Sequence, residues 1–467
     1  MRDLNRGHIL GAAAVLAMPI AFYVPKGIAP LFAISAIGTV IVQVIRTRSI
    51  PRVPRALFVV SIVLAVFAVW AWASALWSVT PGQSLYAATS VFVTLVIGLS
   101  FVAAIRELDV GEHEVFERAL VAGGIGGVAL LAIELSSDAA VYRWVLERAG
   151  FSIRSPVLVG VVFNFENGLS LAALFLWPWA TALRNRGMGI LAVVFPLFAI
   201  GLMVLAGKEA PLLAAALGGV VLAAALLAPR VATPVLGLVV VIGVLAAPLL
   251  PKAIPPMDEL VRSAPNPSSS VYSRLLIWKT AGERIFERPF AGHGMDTSRA
   301  LYGQKDKTER IFYDRAGNPV WWTGALEPIP LHPHNAVLQI WLELGLVGAA
   351  GLALLLAATL RALARSRLAR ADKAACFALF TTGLTMASVS YGIWQGWWLG
   401  ALWLTVAFAA ASARGQPDHG LAKAVPGASA ADADVPGSGA SEEFGGPKGP
   451  EPTRYGDWER KGRCIDF

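Results

Sequence analysis

The sequence predicts an all-α protein: a polytopic membrane bundle of about twelve transmembrane helices, with one large outer loop containing short helices. Three observations carry this. Mean hydropathy is +0.61, with 56% hydrophobic and only 15% charged residues, against about 25% charged in ordinary soluble chains. Apolar runs of roughly 18 residues or more, each enough to cross a bilayer, recur along most of the chain. Period-2 alternation is absent, so helices rather than a barrel must satisfy the backbone in lipid.

In chain order the apolar runs fall near 8–24, 28–45, 56–77, 84–105, 116–135, 156–182, 188–206, 209–228, 232–250, 335–360, 374–391 and 394–412. The N-terminal run follows Arg2 and Arg6 as a signal peptide would, but further spans follow at once, and it reads as a retained first helix. The last two runs require a very tight turn between Tyr391 and Gly396. With the N-terminus inside, the inner segments hold 16 Lys and Arg residues, among them Arg46, Arg48, Arg52, Arg55, Arg361, Arg365, Arg367, Arg370 and Lys373. The short outer loops hold 5: Lys26, Arg143, Arg148, Arg154 and Lys208. This asymmetry puts both termini in the cytoplasm and segment 251–334 outside. It also accounts for the net charge of +8 without nucleic acid as a partner. The layout is a bundle over 1–250, an outer loop over 251–334, a second bundle segment over 335–412 and a tail over 413–467. The Gly-, Ala-, Pro- and Ser-rich tail cannot bury a core and reads as disordered. Cys376 and Cys464 lack metal-ligand spacing.

Within the outer loop, Ser268, Ser269 and Ser270 offer a helix start, and the helix VYSRLLIWKTAGERIFER stops at Pro289. Val271, Leu275, Trp278 and Ile285 repeat at helical spacing, so this helix lies on the membrane surface or on the bundle. Trp321 and Trp322 suit the interface.

The chemistry gathers where the loop re-enters the membrane, at His332-Pro333-His334-Asn335. Pro333 biases His332 to extended geometry, and Asn335 is a good N-cap for the apolar helix that follows. An imidazole at that boundary titrates near neutrality and can take a proton from a substrate; the plain alternative is an interfacial anchor. Arg274 borders the apolar face of its helix, where a guanidinium either snorkels or meets an anion. Lys208, with Glu209, interrupts an apolar stretch at the outer side; it is a functional candidate or a simple turn marker. Glu166 and Asn164 fall within a predicted span, as substrate contacts or as glue between helices. Walker, HExxH and GxSxG motifs and an Asp-x-Asp metal site are absent from the sequence, and no metal or cofactor is expected.

These features together resemble the O-antigen ligase and polymerase superfamily of bacterial inner membranes. HPHNAVLQIWLELGLVGAAG is similar to the family's His-Asn motif at the start of a late span. YSRLLIWKTAGERIFERPFAGHG is similar to its segment running from Ser-Arg through Ile-Trp to Pro-Phe/Leu-x-Gly-x-Gly. AGKEAPLLAAALG aligns with a Ser-Arg-Gly/Ala step opening a span. The resemblance implies transfer of a glycan from an undecaprenyl-diphosphate carrier to an acceptor hydroxyl, on lipid A–core in ligases or on a second carrier-linked glycan in polymerases. It implies His334 as the essential histidine and Arg274 as the loop arginine on the diphosphate. Lys208 stands where the family usually has arginine, keeping the charge but losing the bidentate geometry. Asn335, His332, His293 and Glu166 are possible supporting residues. The expected protein is a metal-independent, inverting glycosyltransferase of a Gram-negative inner membrane with a periplasmic site, in contact with membrane lipids. Its motifs do not separate ligase from O-antigen or exopolysaccharide polymerase, and leave sugar, linkage and oligomeric state open. An oligosaccharyltransferase acting on protein would need an outer domain to hold its acceptor. A lipid-linked glycan transporter is the alternative from another class; it predicts charges spread through several spans, whereas here they gather at the outer boundary.

Overall fold

The computed structural model describes residues 5–52, 57–148, 165–263, 269–301, 311–313, 319–322, 329, 331–414, 459–460 and 463–464. The chain divides into Met1–Gln416 and Pro417–Phe467. In the second unit the described residues are the antiparallel pair Glu459–Arg460 and Arg463–Cys464.

The first unit is an all-α bundle, and helices occupy all twelve predicted apolar stretches. They begin with α1 (Arg6–Tyr23), α2 (Ile28–Thr47), α3 (Phe58–Ala73), α4 (Pro81–Ile105) and α5 (Val110–Ser136). After the short α6 (Ala140–Arg148) come α7 (Glu166–Asn185), α8 (Leu191–Leu205), α9 (Glu209–Leu227) and α10 (Pro229–Ala246). The loop contributes α11 (Met257–Ser263) and α12 (Ser269–Ile285). The bundle closes with α13 (Ala336–Ala364), α14 (Arg370–Val389) and α15 (Gly396–Ser412). Among the described residues, eight stretches, built on α1–α5, α9, α10 and α13, are long and apolar enough to cross a membrane; α8 and α15 are apolar but shorter. The protein is a polytopic helical membrane protein.

The more polar α7 is explained by its position. It packs against α1, α5, α8, α9, α14 and α15, and its residues from Gly168 to Leu183 are almost all buried. A helix walled by protein needs no lipid-facing apolar surface and can carry Ser170 and Thr181 inside. The described helix runs Glu166–Asn185, with Glu166 in its first turn; residues 156–164 of the predicted span lie outside the described residues. Arg154 and Asn164 lie outside the described residues.

One end of the bundle is tied by ions. Arg6 is buried and donates to Glu112, itself fully buried, through Nε at 3.0 and 3.1 Å. Glu112 also closes a capping box with Asp109 that starts α5. At the same end, Asp372 at the start of α14 accepts from Arg184 and from the Arg414 backbone, and Glu117 accepts from Asn185 and Arg414.

At the opposite end the loop folds onto the bundle. α12 starts at Ser269, as its serine run predicts, and packs on α13 and on the 3-10 turn Ala247–Ala253, where Gly282 lets Pro251 approach. Besides short helices the loop holds an antiparallel ribbon, β1 (Ile311–Tyr313) with β2 (Pro319–Trp322). α13 is two helices merged across Gly345, whose φ of 63° and ψ of −161° suit glycine alone. The segment Pro289–Gly294 is stitched to this break. Leu346 N–H donates to Pro289 at 2.8 Å, His293 N–H to Leu342 at 3.0 Å and Gly294 N–H to Glu343 at 2.8 Å. Backbone groups freed by the break thus find protein partners, as irregular backbone beside a membrane core must.

Candidate active site

The site assembles around the entry to α13. Asn335 caps the helix, its side chain accepting from the N–H groups of Val337 and Leu338 at 3.0 Å each. Immediately before it, His334 is held at φ 54°, a conformation that non-glycine residues rarely adopt and that clusters at functional sites.

Two contacts fix its ring chemistry. Nδ1 lies 2.7 Å from the carbonyl oxygen of Ser390. A carbonyl only accepts, so Nδ1 carries the proton and Nε2 presents a lone pair. His332, whose ring centroid is 4.3 Å away, is fixed in the opposite tautomer. Its Nδ1 accepts the His334 N–H at 3.1 Å, which places its proton on Nε2. Burial lowers the pKa of both rings. For His334 the Ser390 bond opposes the shift, the Arg274 charge adds to it and the Glu166 charge opposes it. His332 falls to about 3, through burial and then the neighbouring His334. Both are neutral at physiological pH.

Ser390 belongs to the tight turn joining α14 to α15. Gly392 in that turn touches the His332 ring so closely that a Cβ would lie 2.8 Å from it. Ile393 N–H donates to Gln339 at 3.0 Å, and the Trp394 indole N–H donates to Glu343. Glu343, fully buried on α13, also accepts from Gln339, from the Ser298 hydroxyl and from the Asp296 N–H. One carboxylate therefore ties α13, the loop segment 296–298 and the α14–α15 turn together.

The cation comes from α12. Trp278 donates its indole N–H to Pro333 at 3.0 Å, which sets the helix against the His-Pro-His segment. One turn earlier, Arg274 lies 3.7 Å from Glu166, with 19% and 23% of the two side chains exposed. Beyond Glu166, Ser170 pairs with Tyr391 at 2.9 Å. The structure thus brings together His334, His332, Asn335, Arg274 and Glu166. His293 is buried and turned away, its Nε2 donating to the Arg284 carbonyl at 3.0 Å. Lys208 stands at the entry of α9, half-buried and in extended geometry; the side-chain charges acting on His334 are those of Arg274 and Glu166.

Sequence reasoning missed Ser390, because a backbone carbonyl leaves no residue signature. It also missed Glu343, which had one: a lone carboxylate in an apolar run, two residues before a glycine.

The class that fold and site define is a helical membrane bundle with a neutral imidazole pair and a guanidinium at the mouth of a late span. Residues 191–353, from α8 through the break in α13, match the family model described as O-antigen ligase. The chain is 26% identical over 343 residues to a provisionally named polysaccharide ligase of Rickettsia prowazekii, covering 73% of this chain and 78% of that protein. It is 27% identical over 344 residues to a counterpart in Rickettsia conorii, covering 73% and 77%. Residues 191–353 are thus similar to the O-antigen ligase family, and about three quarters of the chain is similar to these polysaccharide ligases. No solved structure matches. Residues 422–467 match a different family, described as a protein of unknown function (DUF1674). Over 26 residues the chain is 65% identical to a UPF0369 protein of Rickettsia felis, covering 6% of this chain and 33% of that protein.

Proposed function

We propose that this protein is an O-antigen ligase-type glycosyltransferase, moving a glycan from undecaprenyl diphosphate to a hydroxyl of lipid A–core on the periplasmic face of a Gram-negative inner membrane. The observation that carries it is the His334 ring, held neutral with Nε2 unprotonated by the Ser390 carbonyl. Nε2 takes the proton of the acceptor hydroxyl while that oxygen bonds to the anomeric carbon. The bond from that carbon to the diphosphate oxygen breaks on the opposite face, its electron pair leaving with the diphosphate, so the centre inverts. A positioned base of this kind contributes roughly 10²–10⁴-fold. Arg274 neutralises the charge gathering on the leaving group. Its 3.7 Å separation from Glu166 orients the guanidinium while leaving its donors for phosphate. Lys208 supplies a second positive charge to the diphosphate. Asn335 fixes the helix entry, His332 the backbone of His334, and Glu166 the guanidinium. The diphosphate is already an activated leaving group, so the step calls for no nucleotide, metal or cofactor.

The family description and the relatives' provisional name favour the ligase over a polymerase. The test is the lipopolysaccharide gel profile of a deletion strain complemented with wild type or His334→Ala. Unmodified core with carrier-linked polymer accumulating, restored by wild type only, is the expected result. Core bearing a single repeat would point to the polymerase instead, and an unchanged profile would refute both.

A further inference from the structure

Beside His332 lies a half-open cavity of about 180 Å³, lined among others by Tyr86, Asp296, His332, Gln339, Trp394 and Gln395. It is smaller than the ~300–1,000 Å³ pockets that enclose drug-sized ligands and suits one sugar ring.

Its polar groups divide into spent and available ones. Gln339 uses both ends, accepting from Ile393 and donating to Glu343. The Trp394 N–H is spent on Glu343, which leaves its carbon surface to the cavity. Besides the Tyr86 and Ser90 hydroxyls, three groups remain. His332 keeps a proton on Nε2, because Nδ1 accepts from His334. Gln395 accepts from Trp397 at 3.1 Å and retains its amide donors. Asp296 takes Gln83 on Oδ2 at 2.6 Å, while Oδ1 has no hydrogen-bond partner among the described residues. Asp296 is held at φ 57°, its N–H donated to Glu343 at 2.7 Å. Such strain persists only where the surroundings over-determine it. Donors, one carboxylate oxygen and aromatic carbon around a ring-sized space match the alternating O–H groups and C–H faces of a neutral sugar.

Charge decides which sugar. Arg274 acts on His334, whereas the cavity lining carries the Asp296 carboxylate and no Lys or Arg among the described residues. A diphosphate is drawn to the first and repelled by the second. We propose that this cavity is the acceptor subsite, seating the terminal neutral sugar of the acceptor glycan one imidazole ring away from His334, with the carrier diphosphate on the Arg274 side. This rests on the glycan-transfer reading above.

The test uses the full chain in detergent with added lipid, undecaprenyl-diphosphate glycan as donor and lipid A–core as acceptor. Asp296→Asn keeps the shape and removes the charge; Ser90→Phe fills the cavity from the exposed surface of α4. Both should raise the acceptor KM about tenfold or more, the scale of a lost charge-assisted hydrogen bond, and leave the donor KM within about twofold. In equilibrium dialysis, labelled deacylated core oligosaccharide should bind wild type and bind Ser90→Phe at least about tenfold more weakly. A raised donor KM with an unchanged acceptor KM overturns the assignment, as do two well-folded variants with unchanged constants. Wild type that binds the oligosaccharide through this cavity yet transfers nothing refutes the transfer reading and keeps the sugar site. Neither binding nor transfer refutes both.

Discussion

Glu343→Gln is a demanding test of how the site is held together. The Ser298 hydroxyl and the Gln339 amide donate to Oε1, and the Asp296 N–H and the Trp394 indole to Oε2. A carboxylate accepts at both oxygens, whereas an amide accepts at one and donates at the other. Whichever way the new amide turns, its NH₂ group faces two donors. The less costly orientation puts it at the Oε1 position, where the Ser298 hydroxyl can rotate and accept; the Gln339 amide is then orphaned. One buried donor without a partner costs about 1–3 kcal/mol, and the remaining bonds lose their charge assistance. The sum is about 2–5 kcal/mol, concentrated where segment 296–298 docks on α13. Thermal unfolding in detergent should show a drop of several degrees, and transfer should fall with it, although Glu343 does not touch His334. Glu343→Ala, which orphans all four donors, should be worse. A Glu343→Gln protein that melts with wild type, or below Glu343→Ala, refutes the reasoning.

Gly345→Ala would place a Cβ 2.3 Å from the Phe290 carbonyl oxygen at a glycine-only backbone angle. It should cost at least about 4 kcal/mol, while Gly237→Ala, with nothing within 4 Å, should be neutral or stabilising; equal melting temperatures would contradict this. Glu112→Ala leaves the buried Arg6 without its carboxylate, and a loss of about 3–5 kcal/mol is expected in the same assay. For His334 the pKa is lowered, so kcat/KM should stay flat through neutral pH and fall only below the ordinary imidazole value of about 6.5, with His334→Ala down by roughly 10²–10⁴-fold. For His332 the folded-state value near 3 lies below the unfolded one, so the unfolded chain binds the extra proton. Stability is full above about pH 6.5 and erodes by about 1.4 kcal/mol per unit as pH drops toward 3; denaturant midpoints across that range should show the slope, and His332→Gln should flatten it.

The helices were legible because apolar runs of span length are their own signal, and so were the start of α12 at its serines and the cap at Asn335. Arg274 beside Trp278 was legible too, since both lie on the face that meets the bundle. What stayed hidden depends on contacts remote in sequence. The run LELGLVG reads as unbroken helix, and only the insertion of Pro289–Gly294 shows that it breaks. The tail's composition suggested only disorder, and its family match rests on residue identities that composition does not weigh.

The dependence of His334 on the Ser390 carbonyl has a temporal consequence. The imidazole lies at residue 334, yet the group that selects its tautomer comes 56 positions later. At ~5–20 residues per second, the ribosome delivers that carbonyl several seconds after the histidine. Until the α14–α15 turn is inserted, the imidazole can exchange its proton between nitrogens and the Glu343 knot has no Trp394. A nascent chain that already owns its arginine and histidine therefore still lacks the contact that sets the tautomer, which arrives just before α15 enters the membrane.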